Sequence, residues 1–378
     1  MIYLDHHAAT PLEPEAVRAM DLARELAWAN PSSVHAAGRA ARALLETARR
    51  SVAEAIRCDP ADVVLTSGGT EAINTAVLGL VRDPAHVVTT QLEHPAVAEA
   101  VARLEARGTR VTRLVPAGGA APSVDALSAA LSTDSALVAL QWVNHETGLV
   151  LPVAEYAALC RARGVRFVVD ASQALGKLPV DLTALGADAV AFAASKVGGP
   201  HGAGAVFLAR AHAVVPMLAG GGQERGRRPG TPDVRAAVGF GAAATQVARR
   251  LAAMPAVARL RDRLEAGLVA RGAVVNVARD AARVATVTHV AFEGLRGDVL
   301  VAALDVEGVC VSSGAACSSG LAAPSPSILA MFPEQSWRAA GALRFSLGPE
   351  TTTDEIDGAL IALDRVLARL GRGAIQGR

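Results

Sequence analysis

The sequence predicts an α/β protein in which helices cover a large, mostly parallel sheet and a smaller α+β unit follows. Three observations predict it. Short β-rich runs alternate with helical patterns over the first two thirds of the chain, as successive βα units do. Those runs are largely apolar on both faces, which suits strands buried between helix layers. From about residue 284 the order becomes strand, helix, strand, loop, strand, helix, an α+β pattern. A length of 378 residues favours two domains or one large one, and 51% hydrophobic content is ample for the cores.

The elements follow in order. Residues 36–57 place apolar and Arg/Glu positions at helical spacing. Asp62 to Thr66 reads as a strand, and after a Gly turn a helix runs from about Thr70 to Val81. His86 to Thr90 is strand-like and leads to a helix from about Ala96 to Ala106. Val111 to Val115 and Ala136 to Val143 are strands, Val153 to Arg163 a helix, and Val165 to Val169 a strand. Asp188 to Ala194 and Ala203 to Leu208 complete the series. Residues 219–233 form a long Gly- and Arg-rich loop, and two amphipathic helices are expected at about 234–253 and 255–271.

Charge and composition exclude several classes. The 37 Lys and Arg nearly cancel the 36 Asp and Glu, so nothing pulls the chain electrostatically toward nucleic acid or an anionic membrane. No apolar run reaches the ~18–20 residues of a membrane span. The N-terminus has neither a basic segment nor a cleavage site, so no secretory signal is expected. Cys58, Cys160, Cys310 and Cys317 fit no zinc spacing. Four scattered cysteines in a chain of this size suit a reducing cytoplasm.

Four segments just after strands carry candidate chemistry, and ligands of open α/β sheets bind outside the strands' carboxyl ends. Thr66-Ser67-Gly68-Gly69-Thr70-Glu71 can hold an anion on Thr70 and the free N–H groups of a helix start; it also reads as a tight turn with a Thr cap. His94, in Glu93-His94-Pro95, is a functional imidazole or a helix cap. Asp170 closes an apolar strand, where a carboxylate wants a partner such as a cationic ring nitrogen; it also reads as an N-cap. Lys196 ends a run of small residues before Val197-Gly198-Gly199. A desolvated lysine there becomes an amine nucleophile fit for a Schiff base. The alternative, an ordinary surface lysine, suits this chain poorly, because it has only two lysines, Lys177 and Lys196, and uses Arg elsewhere. Cys317, in Ser313-Gly314-Ala315-Ala316-Cys317-Ser318-Ser319, is a thiol on a small, polar loop: a nucleophile or an incidental loop cysteine. Cys310 lies in an apolar run and reads as structural.

An anion loop, an Asp and a Lys are what an aldehyde cofactor with a phosphate and a pyridinium nitrogen requires. The sequence resembles the group I cysteine desulfurases (NifS/IscS-like), in the class V aminotransferase group of fold type I pyridoxal-phosphate enzymes. The resemblance rests on Tyr3-Leu4-Asp5, Ala8 to Pro11, Asn30 to His35, Thr66 to Glu71, Glu93-His94, Asn144 to Gly148, Val169 to Gln173, Gly220 to Thr231, Ser312 to Ser319 and Leu343 to Gly348.

The resemblance implies roles for single residues. Lys196 would form the Schiff base, Asp170 would pair with the ring nitrogen, and His94 would stack on the ring and help move protons. Gln173 and His145 would contact the ring oxygen. Gly69, Thr70 and Ser195 would hold the phosphate of pyridoxal 5'-phosphate, joined by Thr231 from the neighbour in a homodimer. Arg344 would grip the substrate carboxylate, with Asn30 and His145 in the substrate site. Cys317 would take sulfur from L-cysteine and pass it to an acceptor protein, for iron–sulfur clusters or thio-cofactors. A selenocysteine lyase or an aminotransferase of the same group is the alternative. The implied domains are 11–255 for the cofactor, and 1–10 with 256–378 for a small α+β domain carrying the sulfur-transfer loop. His145, Ser195, Ala193 and Gln223 depart from the family's usual Asn, His, Ser and His, and the chain ends soon after its last helix, without the extension that housekeeping members use. An imidazole at 145 titrates near pH 6–7 unless perturbed, so activity is expected to be more pH-sensitive than with Asn.

Overall fold

The computed structural model describes residues 1–81, 85–116, 118–210, 212–313 and 324–374. After a two-residue strand β1 (Ile2–Tyr3) come helices α1 (Pro14–Leu26) and α2 (Ala36–Ile56). Pro14 starts α1, where its fixed φ suits a first helical position. In α2, His35 caps the start by accepting from Gly38 N–H at 3.2 Å, and Ala41, Leu45, Ala48, Val52 and Ile56 form its buried stripe.

The alternating region then runs β2 (Val63–Thr66), α3 (Gly69–Leu80), β3 (His86–Thr90), α4 (Pro95–Glu105), β4 (Arg110–Leu114), α5 (Val124–Ala130) and β5 (Ser135–Gln141). It continues through α6 (Val153–Ala162), β6 (Arg166–Asp170), α7 (Leu182–Leu185), β7 (Ala189–Ala193) and β8 (Gly204–Leu208). These strands form one seven-stranded sheet in the order β2-β8-β7-β6-β5-β3-β4. Within it β8 runs antiparallel to both neighbours, and the other pairs are parallel. Every residue of β3 and of β8 is buried, as expected for a sheet covered on both faces. The parallel arrangement brings the ends of β2, β3, β5, β6 and β7 to one edge, and the segments after them build the site.

The next helices are α8 (Val234–Thr245) and α9 (Val247–Val269). They meet at Gln246, so the expected break between 253 and 255 is corrected: that stretch, with Pro255, lies inside α9. A proline removes one N–H donor, and here packing outweighs that loss, because Met254, Val257, Leu264 and Leu268 stay on one buried face. The chain continues with β9 (Ala273–Val275), β10 (Val287–Phe292), α10 (Gly297–Val306), β11 (Val309–Cys310), α11 (Pro326–Met331), α12 (Trp337–Ala340), β12 (Ala342–Ser346) and α13 (Thr353–Ala374). β12, β10 and β9 make an antiparallel sheet, with Arg344 opposite His289. β1 pairs in parallel with β11, Ile2 opposite Val309 and Tyr3 opposite Cys310. Leu4 packs in one core with Val257, Phe292, Leu304 and Phe345, so the first residues belong with the last hundred. No helix among the described residues is long and apolar enough to cross a membrane.

Candidate active site

At the carboxyl edge of the large sheet lies a cavity of about 400 Å³. Gly69 and Thr70 from the start of α3, His94 after β3, and His145 after β5 line it. So do Asp170 at the end of β6 and Gln173 just beyond it, Ser195 and Lys196 after β7, and Arg344 from β12. Nine of the predicted site residues are therefore brought together. Cys317 lies outside the described residues.

Lys196 ends a single tight turn that follows β7. Gly198, at φ +83°, completes it; a Cβ there would stand 2.6 Å from Glu13 Cγ, so both the conformation and the space call for glycine. Lys196 Nζ donates to the carbonyls of His7 at 3.0 Å and Ala8 at 2.5 Å. Asp170, the buried last residue of β6, accepts from Ser172 N–H at 2.9 Å, and it caps a turn rather than a helix. Gln173 Nε2 donates to His7 O at 2.9 Å. Gly68, not Thr70, occupies the N-cap of α3, which leaves the Thr70 side chain to the cavity.

His94 performs both of its expected tasks. Its Nδ1 accepts from Ala96 N–H at 3.1 Å, capping α4, and its ring lines the cavity. With Nδ1 an acceptor, the neutral ring carries its proton on Nε2. The His145 ring meets it edge-on at 5.0 Å. Burial above all, with the Arg344 charge adding to it, holds His145 well below the usual imidazole range. It is therefore neutral near pH 7, and the expected titration near pH 6–7 is corrected.

Arg344 donates from one terminal nitrogen to Asp5 Oδ1 at 2.6 Å and from the other to His145 O at 3.0 Å. Its Nε is buried and has no hydrogen-bond partner among the described residues. Two further carboxyls stand close by. Burial, and then the charge of Asp170, push Glu93 up to about 8. Burial also raises Glu146, although Ser325 and Ser327 hydrogen bond to it.

Asn30 and Thr231 lie elsewhere. Both are exposed, and they line a second cleft together with Trp28. Asn30 Oδ1 accepts from Ser32 N–H at 2.8 Å. The loop carrying Thr231 is pinned by Glu224, which pairs with Arg49 at 2.5 and 2.8 Å and accepts from Leu65 N–H at 2.9 Å. Glu224 and Arg225 both adopt left-handed backbone, φ +50° and +58°, a strain that persists only where surrounding contacts impose it.

Asp5, the His7 and Ala8 carbonyls, Gln141 and Lys177 are not among the expected site residues. Backbone carbonyls leave no mark on residue type. Asp5 was signalled by the polar cluster Asp5-His6-His7 at the very start and Lys177 by the rarity of lysine, while Gln141, at the end of an apolar strand, had no further signal.

A family model described as aminotransferase class-V matches residues 2–358. An IscS-like cysteine desulfurase of Mycobacterium tuberculosis is 42% identical, covering 99% of this chain and 98% of its own. The solved structure of a NifS-like protein superposes with a TM-score of 0.91 at 28% identity, covering 97% of this chain and 99% of that one. A structure of SspA in complex with cysteine superposes with a TM-score of 0.79 at 26% identity, covering 93% and 100%.

Proposed function

The chain belongs to the class-V aminotransferase family, and from that premise we propose that it is a pyridoxal-phosphate-dependent cysteine desulfurase, converting L-cysteine to L-alanine with a persulfide formed on Cys317. One observation carries the reading: Thr70, Asp170, Lys196 and Arg344, far apart in sequence, line one cavity.

The residues present fit the cofactor and the substrate. A lysine amine, a buried carboxylate and a helix start bearing Thr70 match an aldehyde, a ring nitrogen and a phosphate. The unpartnered Arg344 Nε is a buried donor that a substrate carboxylate would satisfy. When bound, pyridoxal phosphate supplies an aldehyde that takes up an amine and a ring that accepts the electron pair left as the Cα proton departs.

The chain's own groups do the rest. Thr70, Ser195 and the N–H groups at the start of α3 would hold the phosphate. Asp170 would serve the ring nitrogen, Gln173 the ring oxygen, and His94 would stand beside the ring. Lys196 Nζ would carry the aldehyde and, once a substrate amine has taken its place, would be the base for the Cα proton. Arg344 orients the substrate through its carboxylate, while Asp5 and the His145 carbonyl hold the guanidinium in place. The Cys317 thiolate attacks the substrate sulfur. An S–S bond forms as the C–S bond breaks; the electron pair left on Cβ takes a proton, and Lys196 Nζ returns the Cα proton, which gives alanine.

The protein works as a homodimer in the cytoplasm, and residues 11–255 and 1–10 with 256–378 act as its two domains. The shared cleft of Asn30 and Thr231, outside their own chain's cavity, supports a role for both at the neighbour's site. The persulfide passes to an acceptor protein that supplies iron–sulfur clusters or thio-cofactors. The test is Cys317→Ser. The variant is expected to keep its bound cofactor colour, to respond spectrally to cysteine, and to make little alanine and no protein persulfide. Full alanine production by this variant would overturn the assignment and favour a lyase or aminotransferase.

A further inference from the structure

We propose that Lys177 is a positioning residue: it holds the Gln173 amide with its oxygen turned away from the cavity, so that Gln173 presents an N–H, not a C=O, to the cofactor's ring oxygen. The inference rests on the cofactor reading above and concerns a residue which that reading leaves idle.

Lys177 is buried, only 7% exposed, in the turn that follows Asp170 and Gln173. Its Nζ donates to Gln173 Oε1 at 3.0 Å and to Lys196 O at 3.3 Å. At the other end of the same amide, Gln173 Nε2 donates to His7 O at 2.9 Å. The His7 carbonyl can be met only by the amide nitrogen, and the Lys177 amine, aimed at the Lys196 carbonyl as well, turns its other N–H to the amide oxygen, so the two ends agree on one orientation. One Nε2 hydrogen is spent on His7 O. The second remains on a side chain that lines the cavity.

The charge state of Lys177 agrees with this role. Buried lysines ordinarily pair with a carboxylate. Here the charged groups acting on Lys177 are Arg250, Lys196 and Arg344, all cations. The nearby Glu13 carboxylate is held by Arg250 at 2.5 Å and Arg249 at 2.6 Å. Burial and those cations drive the Lys177 amine toward its neutral form. A neutral amine has two N–H donors, and the structure offers two acceptors, Gln173 Oε1 and Lys196 O. Lys177 thus directs Gln173 without placing a second ammonium behind Lys196.

A donor at the ring oxygen favours its ionised form, so losing that donor should raise the pH at which the bound cofactor's visible absorption changes. The experiment titrates that band in the holoenzyme of wild type, Lys177→Met, Gln173→Leu and the double variant. Lys177→Met is expected to raise the midpoint by about one unit, the scale of a hydrogen bond to a charged group. Gln173→Leu should raise it at least as far, and the double variant no further, because Lys177 acts through Gln173. An unmoved midpoint in Lys177→Met, or additive shifts in the double variant, overturns the proposal. Should Lys177→Met fail to fold, Lys177→Gln keeps an NH2 donor and is expected to titrate like wild type; a midpoint raised by about one unit there overturns it equally. A wild-type chain with no visible band at all refutes the desulfurase reading itself, whereas a normal band indifferent to Lys177 refutes only this inference.

Discussion

Replacing Glu93 with Gln should stabilise the protein, by an amount that grows with pH. Glu93 is buried; Thr90 donates to its Oε1 at 2.5 Å, and its Oε2 has no hydrogen-bond partner among the described residues. Burial first, and the Asp170 charge next, lift its carboxyl from 4.5 to about 8. Between those values the unfolded chain has lost a proton that the folded chain keeps. The unfolded state then binds fewer protons, so stability falls as pH rises. Integrating from roughly pH 5.5 to pH 8 gives about 2 pH units of lost proton linkage, or roughly 3 kcal/mol. Glutamine keeps the shape and cannot ionise, so the variant escapes this loss. Urea unfolding of wild type and Glu93→Gln holoenzyme at both pH values, followed by circular dichroism, measures it. The stability difference should widen by about 3 kcal/mol toward the higher pH. A difference that stays flat across the range, or a variant less stable than wild type at pH 8, refutes the reasoning.

Other outcomes follow from the same structure. Borohydride reduction and peptide mass mapping should place the cofactor on Lys196, which lines the cavity beside Asp170 and Thr70 whereas Lys177 does not; an adduct on Lys177 would exclude the assignment. His145→Asn should leave the shape of the pH–rate profile unchanged from about pH 6 to pH 8, because burial keeps the imidazole neutral across that range. A new or lost inflection in that window would show that His145 does titrate. Glu224→Gln leaves the Arg49 guanidinium buried with only the half-exposed Glu46 for charge. The loss should approach the roughly 3–5 kcal/mol typical of a broken buried pair, and an unchanged thermal midpoint would count against it.

The strands and their site residues were legible because βα units place chemistry at predictable points. Asp170, Lys196 and Thr70 each follow an apolar run that can only be a buried strand. The helix α1 is not legible in the sequence, although Pro14 marks its start, because three of its seven apolar residues, Val17, Leu22 and Leu26, face outward and blur the period. The boundary between α8 and α9 lies at Gln246 and not near 254, because Met254 and Val257 share one buried face with Leu264 and Leu268 and the helix runs on through Pro255. His145 was legible as a position and not as a charge state, since its neutrality comes from burial and from Arg344, two hundred residues away. The Lys177–Gln173 contact has helical spacing, yet it forms in a turn whose path the sequence does not reveal.

The pairing of β1 with β11 sets a timetable for the newborn chain. Tyr3 meets Cys310 only after some three hundred further residues have left the ribosome, a wait of about 15–60 s at the usual rates of synthesis. His7 and Ala8, whose carbonyls receive the Lys196 amine, sit on the stretch that this strand anchors. The large sheet can therefore close well before its lysine acquires these acceptors. The site is finished last, by the residues that were made first.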